Sequence, residues 1–382
     1  MTELLPLAVY VHWPYCARIC PYCDFAVVRD RGRTDEQARL AEAIVADLEI
    51  QRGLTGPRRL TSIFFGGGTP SLMSPAQVAA VIDAAKRLWS PADDLEIGLE
   101  ANPTDAEAGR FAAFAAAGVE RLSLGVQALD DAVLKTLGRN HGADEARRAA
   151  VLAAAIFPRL SIDLIYARPG QTVEAWKAEL AEAIAWGAGH ISPYQLTIEA
   201  GTPFDRAVGR GTLKPPGEDL AGDLFDATQA VLEAAGFDAY EVSNHARDAA
   251  FRSRHNLAYW TGVDYLGVGP GAHGRITDAD GRLATLAPAR IADYIAAVEA
   301  GGPGFGEGER LTAEEIAEER LLLGLRIDAG VGFAEVAALG LTPDDPRVHD
   351  LVAAGLVAED RQRLRATRAG RLVLDRLTAS LV

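Results

Sequence analysis

The pattern of hydrophobic runs in the first half of this sequence is its strongest constraint on the fold. From Leu7 to about Glu199, short runs of β-branched and aromatic residues alternate with longer segments of helical periodicity. Such alternation is typical of repeated strand–helix units around a parallel sheet, either as a partial barrel or as an open doubly wound sheet. Six strands are predicted, at residues 7–13, 62–65, 95–100, 121–126, 160–166 and 190–197. Five Ala-rich helices are predicted between them, at residues 35–48, 75–88, 105–117, 145–156 and 173–186.

Composition and charge narrow the class of protein. The chain has 382 residues, of which about half are apolar, so it is long enough for one large domain and a small one. Its 38 basic and 53 acidic residues give a net charge of −15, which disfavours nucleic acid and anionic membrane surfaces as partners. The sequence has no apolar run of about 18 residues and no secretory signal pattern. We therefore predict a cytoplasmic protein without membrane insertion.

The second half of the sequence has a different periodicity. A helix is predicted at 218–235, followed by short extended pieces at 240–243 and 257–268, and a helix near 291–300 leads into a breaker cluster at 301–304. Beyond residue 304, Thr312 and Glu315 predict a capping box at the start of a helix. The sequence then predicts a helix at 346–354, a hairpin at 356–366 and a helix at 368–381. We predict a barrel core at 1–200, an elaboration at 201–304 and a small winged-helix-like α+β domain at 305–382.

Polar or backbone-exposing residues follow the predicted strands at one end. Cysteines follow the first strand, a glycine run follows the second, and polar side chains close or follow the other four; they are Glu100, Gln127, Asp163, Tyr194 and Gln195. Barrel folds build their sites at the carboxyl ends of the strands. The sequence therefore predicts a single site at this edge of the sheet.

Three cysteines, Cys16, Cys20 and Cys23, are the only ones in the chain and lie within eight residues. An odd number in so short a segment is not a disulfide framework. A zinc site would need a fourth ligand, for which His12 is a candidate, and a set of buried structural thiols is a second alternative. Three thiolates can instead hold three irons of a cubane cluster and leave the fourth iron open to an external ligand.

These features together resemble the radical S-adenosylmethionine superfamily, and more closely its branch of oxygen-independent coproporphyrinogen III oxidases and HemW-type heme chaperones. The matching motifs run in the order of that family over nearly the whole chain: Tyr10-Val-His12, Cys16 to Cys23, Gly66-Gly67-Gly68-Thr69-Pro70, Glu100-x-Asn-Pro103, Arg121 to Gln127, Leu137-Gly-Arg139, Asp163-Leu-Ile-Tyr166 and Pro169-Gly-Gln-Thr172. The resemblance implies an α/β fold with a partial (β/α)6 TIM-like barrel and a C-terminal cover domain.

The resemblance also implies cofactors and the residues that bind them. A [4Fe-4S] cluster would be bound by Cys16, Cys20 and Cys23, with the methionine moiety of S-adenosylmethionine on the fourth iron. The residues that match contacts to this S-adenosylmethionine are Tyr10, Gly67 and Glu100. In the decarboxylating relatives a second S-adenosylmethionine is held by residues that match Tyr22, Gly68, Thr69, Gln127, Arg139 and Asp163.

The segment His255-Asn256-Leu-Ala-Tyr259-Trp260 resembles the HNxxYW block of the HemW branch. It implies heme as a ligand, with His255 as an axial imidazole and the two aromatic side chains as apolar walls. A satisfied core histidine is the alternative for His255, and we expect His273 to be structural. The glycines from Gly267 to Gly271 mimic a dinucleotide fingerprint, but no amphipathic helix is predicted after them.

The sequence departs from the oxidase branch at Phe25, where those relatives carry a fourth cysteine. We therefore predict a heme chaperone of porphyrin metabolism that transfers heme to an acceptor protein and takes electrons for its cluster from a donor. The alternative is an oxygen-independent coproporphyrinogen III oxidase that decarboxylates its substrate by a radical mechanism. The sequence assigns no catalytic residue and leaves open whether S-adenosylmethionine is cleaved.

Overall fold

The computed structural model describes residues 4–382, and its strands and helices alternate as the sequence predicts. The strands are β1 (Pro6–Trp13), β2 (Tyr15–Cys16), β3 (Val28–Arg29), β4 (Arg59–Gly67), β5 (Ser90–Ala101), β6 (Arg121–Gln127), β7 (Arg159–Tyr166), β8 (His190–Gln195), β9 (Asp238–Ala239), β10 (His245–Ala246), β11 (Asp264–Val268), β12 (His273–Asp278), β13 (Gly281–Leu286), β14 (Glu309–Arg310), β15 (Val331–Gly332) and β16 (Arg363–Leu364). The helices are α1 (Thr34–Thr55), α2 (Pro75–Leu88), α3 (Asp105–Ala108), α4 (Phe111–Ala116), α5 (Asp131–Thr136), α6 (Ala143–Ile156), α7 (Val173–Ala185), α8 (Pro203–Gly209), α9 (Glu218–Ala234), α10 (Arg254–Trp260), α11 (Ile291–Glu299), α12 (Ala313–Gly324), α13 (Pro346–Ala353), α14 (Arg368–Leu372) and α15 (Leu374–Ala379). Short 3₁₀ helices cover Pro70–Leu72, Ala249–Phe251 and Phe333–Leu339.

The order of the strands decides between the two predicted architectures. Strands β1, β4, β5, β6, β7 and β8 are parallel neighbours in chain order. A doubly wound sheet would reverse this order at a switch point, so the predicted partial barrel is confirmed. Strand β11 extends the sheet beside β1 in parallel, and antiparallel strands complete its two edges, β14 and β9. Because these edge strands do not pair, the barrel stays open along one side.

The two faces of strand β1 show how the barrel is filled. Leu7, Val9 and Val11 are fully buried in the main hydrophobic core, which the helices outside the sheet complete. Side chains alternate between the faces of a strand, so Tyr10 and His12 lie on the opposite face, inside the barrel. Right-handed crossovers keep the helices on the outer face, which leaves the inner face to polar and aromatic groups.

Several predicted elements are wrong in detail. The predicted helix at 105–117 is interrupted at Gly109, a weak helix former, and forms α3 and α4. The predicted last helix breaks at Val373 into α14 and α15, and in the predicted hairpin only Val357 and Ala366 bridge, because β16 pairs with β15 instead. The predicted strand at 240–243 is reduced to an isolated bridge between Glu241 and Ile327.

The predicted extended piece at 257–268 is the most important correction. Its first part is helical, since α10 covers Arg254–Trp260, and only Asp264–Val268 is a strand. Ser253 begins the helix by accepting a hydrogen bond from the Asn256 N–H at 3.3 Å. The aromatic residues that suggested a strand are instead placed on a helix one turn from His255.

The C-terminal residues have a hydrophobic core of their own. It is built by buried residues of α12, α13, α15 and the β15–β16 pair and by those of the connecting segments, including Leu321, Leu325 and Leu364. The predicted capping box is confirmed, with Thr312 Oγ1 accepting from the Glu315 N–H at 3.2 Å and Glu315 Oε2 accepting from the Thr312 N–H at 2.7 Å. The domain boundaries at 200 and 304 stay predictions. None of the helices within 4–382 has the length and apolar character needed to cross a membrane.

Candidate functional site

The cysteine loop leaves the carboxyl end of β1 and is closed at its base by a short parallel pair. Strand β2, which contains Cys16, pairs with β3, and the Asp30 N–H donates to the Cys16 carbonyl at 2.7 Å. Within the loop the Cys23 N–H donates to the Cys20 carbonyl at 3.2 Å. All three thiols are free, and Cys16 is buried while the other two are partly exposed. The backbone therefore holds three thiols in one compact turn beside the strand end.

Burial favours the protonated thiol at two of the three cysteines, Cys16 and Cys23. It raises the pKa of Cys16 to about 11, and the neighbouring Cys23 and Cys20 add to the increase while a hydrogen bond to Thr69 opposes it. Burial also raises the pKa of Cys23. Metal binding by these thiols therefore has to release protons. The mutual effects also show that the three sulfur groups lie near one another.

The donor set fits a cluster better than a single ion. Among residues 4–382, no group of three or more His, Cys, Asp or Glu side chains could hold one metal ion. His12 is also unsuited as a fourth zinc ligand, because its Nδ1 bonds the Tyr10 hydroxyl at 3.0 Å and its Nε2 the Ala26 carbonyl at 3.0 Å. The thiolates of a cubane bind three different irons, and three cysteines leave the fourth iron open to an external ligand. The number of cysteines therefore fits a [4Fe-4S] cluster.

The glycine run after β4 packs directly against the cysteine loop. Gly68 donates its N–H to the Trp13 carbonyl at 2.8 Å, and a Cβ on Gly68 would lie 2.7 Å from the Tyr15 carbonyl oxygen. Gly67 has φ +101°, and a Cβ there would lie 2.6 Å from the His12 ring. Side chains at these two positions would separate the glycine run from the loop. Part of the motif is thus required by packing alone.

Three residues predicted to contact S-adenosylmethionine come together beside this loop. The Gly67 N–H donates to the Glu100 carboxylate, and burial, reinforced by the charge of Asp163, raises the pKa of Glu100 to about 8. The side chains of Tyr10 and Glu100 both approach Gly66. The Glu100 carboxyl is therefore available as an acceptor at the end of β5, in surroundings that favour a positively charged partner.

A second group of predicted residues surrounds Arg139. This side chain donates to Cys20 Sγ at 3.4 Å and to the Gly125 carbonyl at 3.0 Å, and it also bonds Asn102. Tyr22 is hydrogen-bonded to both Cys20 and Arg139, and burial raises its pKa. The guanidinium places a positive charge beside a cysteine, where it offsets the negative charge that a thiolate-bound cluster carries.

Gln127 ends β6 in an unusual conformation and with an unused polar atom. Its φ is +66°, which lies in the left-handed backbone region that residues other than glycine rarely adopt. Gln127 Oε1 and Arg139 Nε are buried and have no hydrogen-bond partner among residues 4–382. Unpaired buried polar atoms are costly, so two of them beside the cysteine loop indicate a site for a polar ligand.

Asp163 and Thr69 differ from Gln127 and Arg139 because the hydrogen bonds of their side chains are already made within the protein. Asp163 accepts from the Ser123 hydroxyl at 2.8 Å and the Ser161 hydroxyl at 3.1 Å, and burial raises its pKa. Thr69 is buried and its Oγ1 accepts from Asn102 at 3.2 Å. Asn102 was not predicted as a site residue, although it lies in the motif that begins at Glu100. Its position two residues after Glu100, the carboxylate at the end of the strand, is the sequence feature that could have indicated it.

His255 lies inside the barrel between aromatic rings. Its imidazole stacks on Phe64 with ring centroids 4.2 Å apart, and on Tyr10 at 5.7 Å, while Tyr259 meets its edge at 4.7 Å. Burial lowers its pKa to about 3, with a smaller effect from Arg121, so the ring is neutral at physiological pH. His255 Nδ1 is buried and has no partner among residues 4–382.

A cavity of about 2050 Å³ opens beside His255 along the open side of the barrel. It is lined from one edge by Tyr194 of β8 and from the other by Tyr265 and His273, and residues 371–376 of the C-terminal region cover part of it. His273 is exposed and lines the cavity, and the expectation that it is structural stays a prediction. The volume and the aromatic lining suit a large flat ligand.

Comparisons with known proteins agree with this architecture. The model of the radical SAM superfamily matches residues 10–183, and that of the HemN C-terminal domain matches residues 311–373. The solved structure of coproporphyrinogen III oxidase (HemN) from Escherichia coli aligns with a TM-score of 0.80 at 23% identity, covering 99% of this chain and 90% of that one. This likeness confirms the predicted fold class.

Two curated relatives match over nearly the whole chain. The mitochondrial radical S-adenosyl methionine domain-containing protein 1 of Mus musculus is 42% identical, over 98% of this chain and 87% of its own length. Heme chaperone HemW of Escherichia coli strain K12 is 35% identical, over 99% of this chain and 98% of its own length. Radical SAM proteins use a [4Fe-4S] cluster and S-adenosylmethionine, the cofactors that the cysteine loop and its surroundings fit. This chain therefore belongs to the radical SAM superfamily and, within it, to the family of heme chaperone HemW.

Proposed function

We propose that this protein binds heme next to a [4Fe-4S] cluster and S-adenosylmethionine, and that it passes the heme to an acceptor protein. The observation that carries the proposal is the neutral His255 imidazole, with an unpartnered buried Nδ1, on the wall of a cavity of about 2050 Å³. Neutral imidazole is the form that binds heme iron. The name of the Escherichia coli relative, heme chaperone HemW, supports the same function.

The cluster and its S-adenosylmethionine would occupy the carboxyl end of the barrel. Cys16, Cys20 and Cys23 would bind the irons, and Glu100 would accept from the ammonium group or a hydroxyl of S-adenosylmethionine. When bound and reduced, such a cluster supplies electrons for cleavage of S-adenosylmethionine. Tyr10 and Gly67 complete this side of the site. The glycine N–H orients the Glu100 carboxylate, and the tyrosine ring stacks on His255.

Two residues support a second polar ligand more strongly than the others assigned to it. Gln127 Oε1 and Arg139 Nε are buried without partners, which is the condition expected of groups that await a ligand. Asp163 and Thr69 already have protein partners, while Tyr22 is engaged with Cys20 and Gly68 with the Trp13 carbonyl. We keep all six as proposed contacts, with Gln127 and Arg139 as the best supported.

The proposal also includes two partner proteins and a location in the cell. The acceptor protein and the electron donor of the cluster are proposals on the strength of the family. The cytoplasmic location also stays a proposal, since the relatives include bacterial proteins and proteins named as mitochondrial.

Titration with hemin tests the proposed function. The purified protein should bind hemin saturably with one-to-one stoichiometry, as followed by the Soret band. His255→Ala should weaken binding about tenfold or more and change the spectrum, because it removes an axial ligand. His349→Ala is the matched control, since His349 is exposed on α13 and does not line the cavity.

Two outcomes would contradict the proposal. Absence of saturable hemin binding by the unmodified protein would reject heme as the cargo. Formation of a decarboxylated porphyrinogen from coproporphyrinogen III, in an anaerobic assay with reductant and S-adenosylmethionine, would instead favour the oxidase alternative.

A further inference from the structure

Trp260 and Arg326 form one wall of the large cavity, although they are distant in the sequence. Trp260 is the last residue of α10, and Arg326 lies just after α12 in the C-terminal region. The guanidinium carbon of Arg326 lies 5.1 Å from the centroid of the Trp260 ring, and both residues line the cavity. A cationic group is thus fixed on an aromatic face at the edge of a site proposed for heme.

Both residues carry hydrogen-bond donors that the protein leaves unused. Trp260 Nε1 and Arg326 Nε are buried and have no hydrogen-bond partner within 4–382. An unpaired buried N–H costs free energy, and an acceptor in the cavity that reaches both donors would remove both costs. A carboxylate, with two oxygens and a negative charge, has the matching chemistry.

Arg326 differs in this respect from its neighbours in the C-terminal region. Arg320 bonds Glu335 at 2.9 Å, Arg361 bonds Asp344 at 2.9 Å, and Arg368 bonds Asp226 at 3.1 Å. Arg326 forms no such ion pair in the described part of the chain, and its guanidinium lies over the Trp260 ring instead. The charge of Arg326 is therefore not neutralised by a direct ion pair.

Glu241 also lines the cavity, and its carboxylate interacts electrostatically with Arg326. Its Oε1 accepts from Asn244 and from the Ser243 N–H at 3.3 Å, and in the described part of the chain it forms no hydrogen bond with Arg326 Nε. Burial raises the pKa of Glu241, and the charges of Arg326 and Arg371 oppose that increase. Burial thus disfavours the charged form of Glu241, which lessens its repulsion of a second carboxylate beside Arg326.

His255 and Trp260 both belong to α10, and both line the cavity. One large ligand in the cavity can therefore contact both residues. We infer that Arg326 and Trp260 bind a propionate carboxylate of the heme whose iron His255 ligates, an assignment that rests on the proposed function.

The test compares hemin with its dimethyl ester, in which both propionates are esterified. The unmodified protein should bind hemin about tenfold or more tightly than the ester, because the ester cannot form charge-assisted hydrogen bonds. Arg326→Gln should weaken hemin binding by a similar factor, leave ester binding nearly unchanged and so abolish the preference. Arg326→Lys should retain part of the preference, and Trp260→Phe, which keeps the ring but removes the N–H, should reduce it.

Arg361→Gln is the matched control, since Arg361 is an exposed arginine of the same region paired with Asp344. Thermal melts of every variant show whether the fold is intact. Equal loss of hemin and ester binding in Arg326→Gln, or an unchanged preference, would overturn the assignment while leaving heme binding in place. Failure of the unmodified protein to bind either compound would reject the proposed function itself, and the assignment with it.

Discussion

At the scale of single residues, the site combines groups that the fold holds in unfavourable states. Glu100 has a raised pKa, Gln127 adopts a left-handed backbone conformation, and Arg139 and His255 each leave a buried nitrogen unpaired. Such conditions reduce stability unless a ligand relieves them. Their concentration between the cysteine loop and the large cavity distinguishes this end of the barrel from an ordinary core.

Glu100 gives a prediction for the ligand-free protein. Its pKa rises from the usual 4.5 to about 8 on folding, so the folded protein holds this proton more tightly than the unfolded chain does. Its contribution to stability is therefore complete below about pH 4.5 and is lost as the pH rises through about 8. The unfolding free energy of the unmodified protein should therefore fall by roughly 2 to 4 kcal/mol between pH 5 and pH 9. The Glu100→Gln variant should not show this fall.

Urea denaturation at several pH values measures this effect. Glu299→Gln is the control, because Glu299 lies on the surface in an exposed ion pair with Arg39 and should leave the pH dependence unchanged. Parallel curves for the unmodified protein and Glu100→Gln would show that the raised pKa is not a property of the folded state in solution.

At the scale of elements, α10 is held in place by one buried carboxylate. Glu96 Oε1 on β5 accepts from the Arg254 N–H at 3.0 Å and the His255 N–H at 3.2 Å, at the positive end of the helix. The same side chain pairs with Arg159 at 2.6 Å and lies 4.0 Å from Arg121. Glu96 therefore joins the sheet to the start of the helix that carries His255.

Removal of that group should have a large effect. Glu96→Ala leaves two buried arginines and a helix start without their partner, so it should lower the unfolding free energy by about 3 to 5 kcal/mol. It should also weaken hemin binding, because His255 loses its anchor. Chemical denaturation and hemin titration measure the two effects, and Glu182→Ala is the control, since it breaks the half-exposed pair with Arg147 and should cost less than about 1 kcal/mol. Equal losses in the two variants would contradict this role of Glu96.

Elements with a long, regular period were predictable from the sequence, and short ones were not. The six parallel strands and α2, α6 and α7 all occur close to their predicted residues, because burial on one or both faces sets their hydrophobic pattern. The helix α10 has only seven residues, too few to show a helical period, and its aromatic content resembles that of a strand. The residue that fixes it, Glu96, is more than 150 positions away in the chain.

The same limit applies to the site. The cysteine loop and the glycine run could be predicted because each is a local motif that follows a strand. Arg326 could not, since its proximity to Trp260 depends on how the C-terminal region packs on the barrel. Nor does the hydrophobic period reveal that the sheet stays open between its edge strands β14 and β9, on the side where the cavity lies.

At the scale of the whole molecule, the cavity joins three parts of the chain that are separate in sequence. The inner face of the barrel contributes Tyr10, the elaboration contributes α10, and the C-terminal region contributes residues 371–376. Leu372 and Val373 are 45% and 36% exposed at its margin, although both are large apolar side chains. A flat apolar ligand in the cavity would cover them, so its binding should tie the C-terminal region to the barrel.

Hydrogen exchange of the free and hemin-loaded protein measures this coupling. Hemin should slow exchange in α10 and in residues 371–376 together, because a ligand that contacts both elements raises the free energy of opening each of them. Helix α2 lies outside the sheet, away from the cavity, and its exchange should stay the same, which makes it an internal control. Protection of α10 alone would mean that heme binds without contacting the C-terminal region. In that case Arg326, which belongs to that region, would have no means of reaching a propionate.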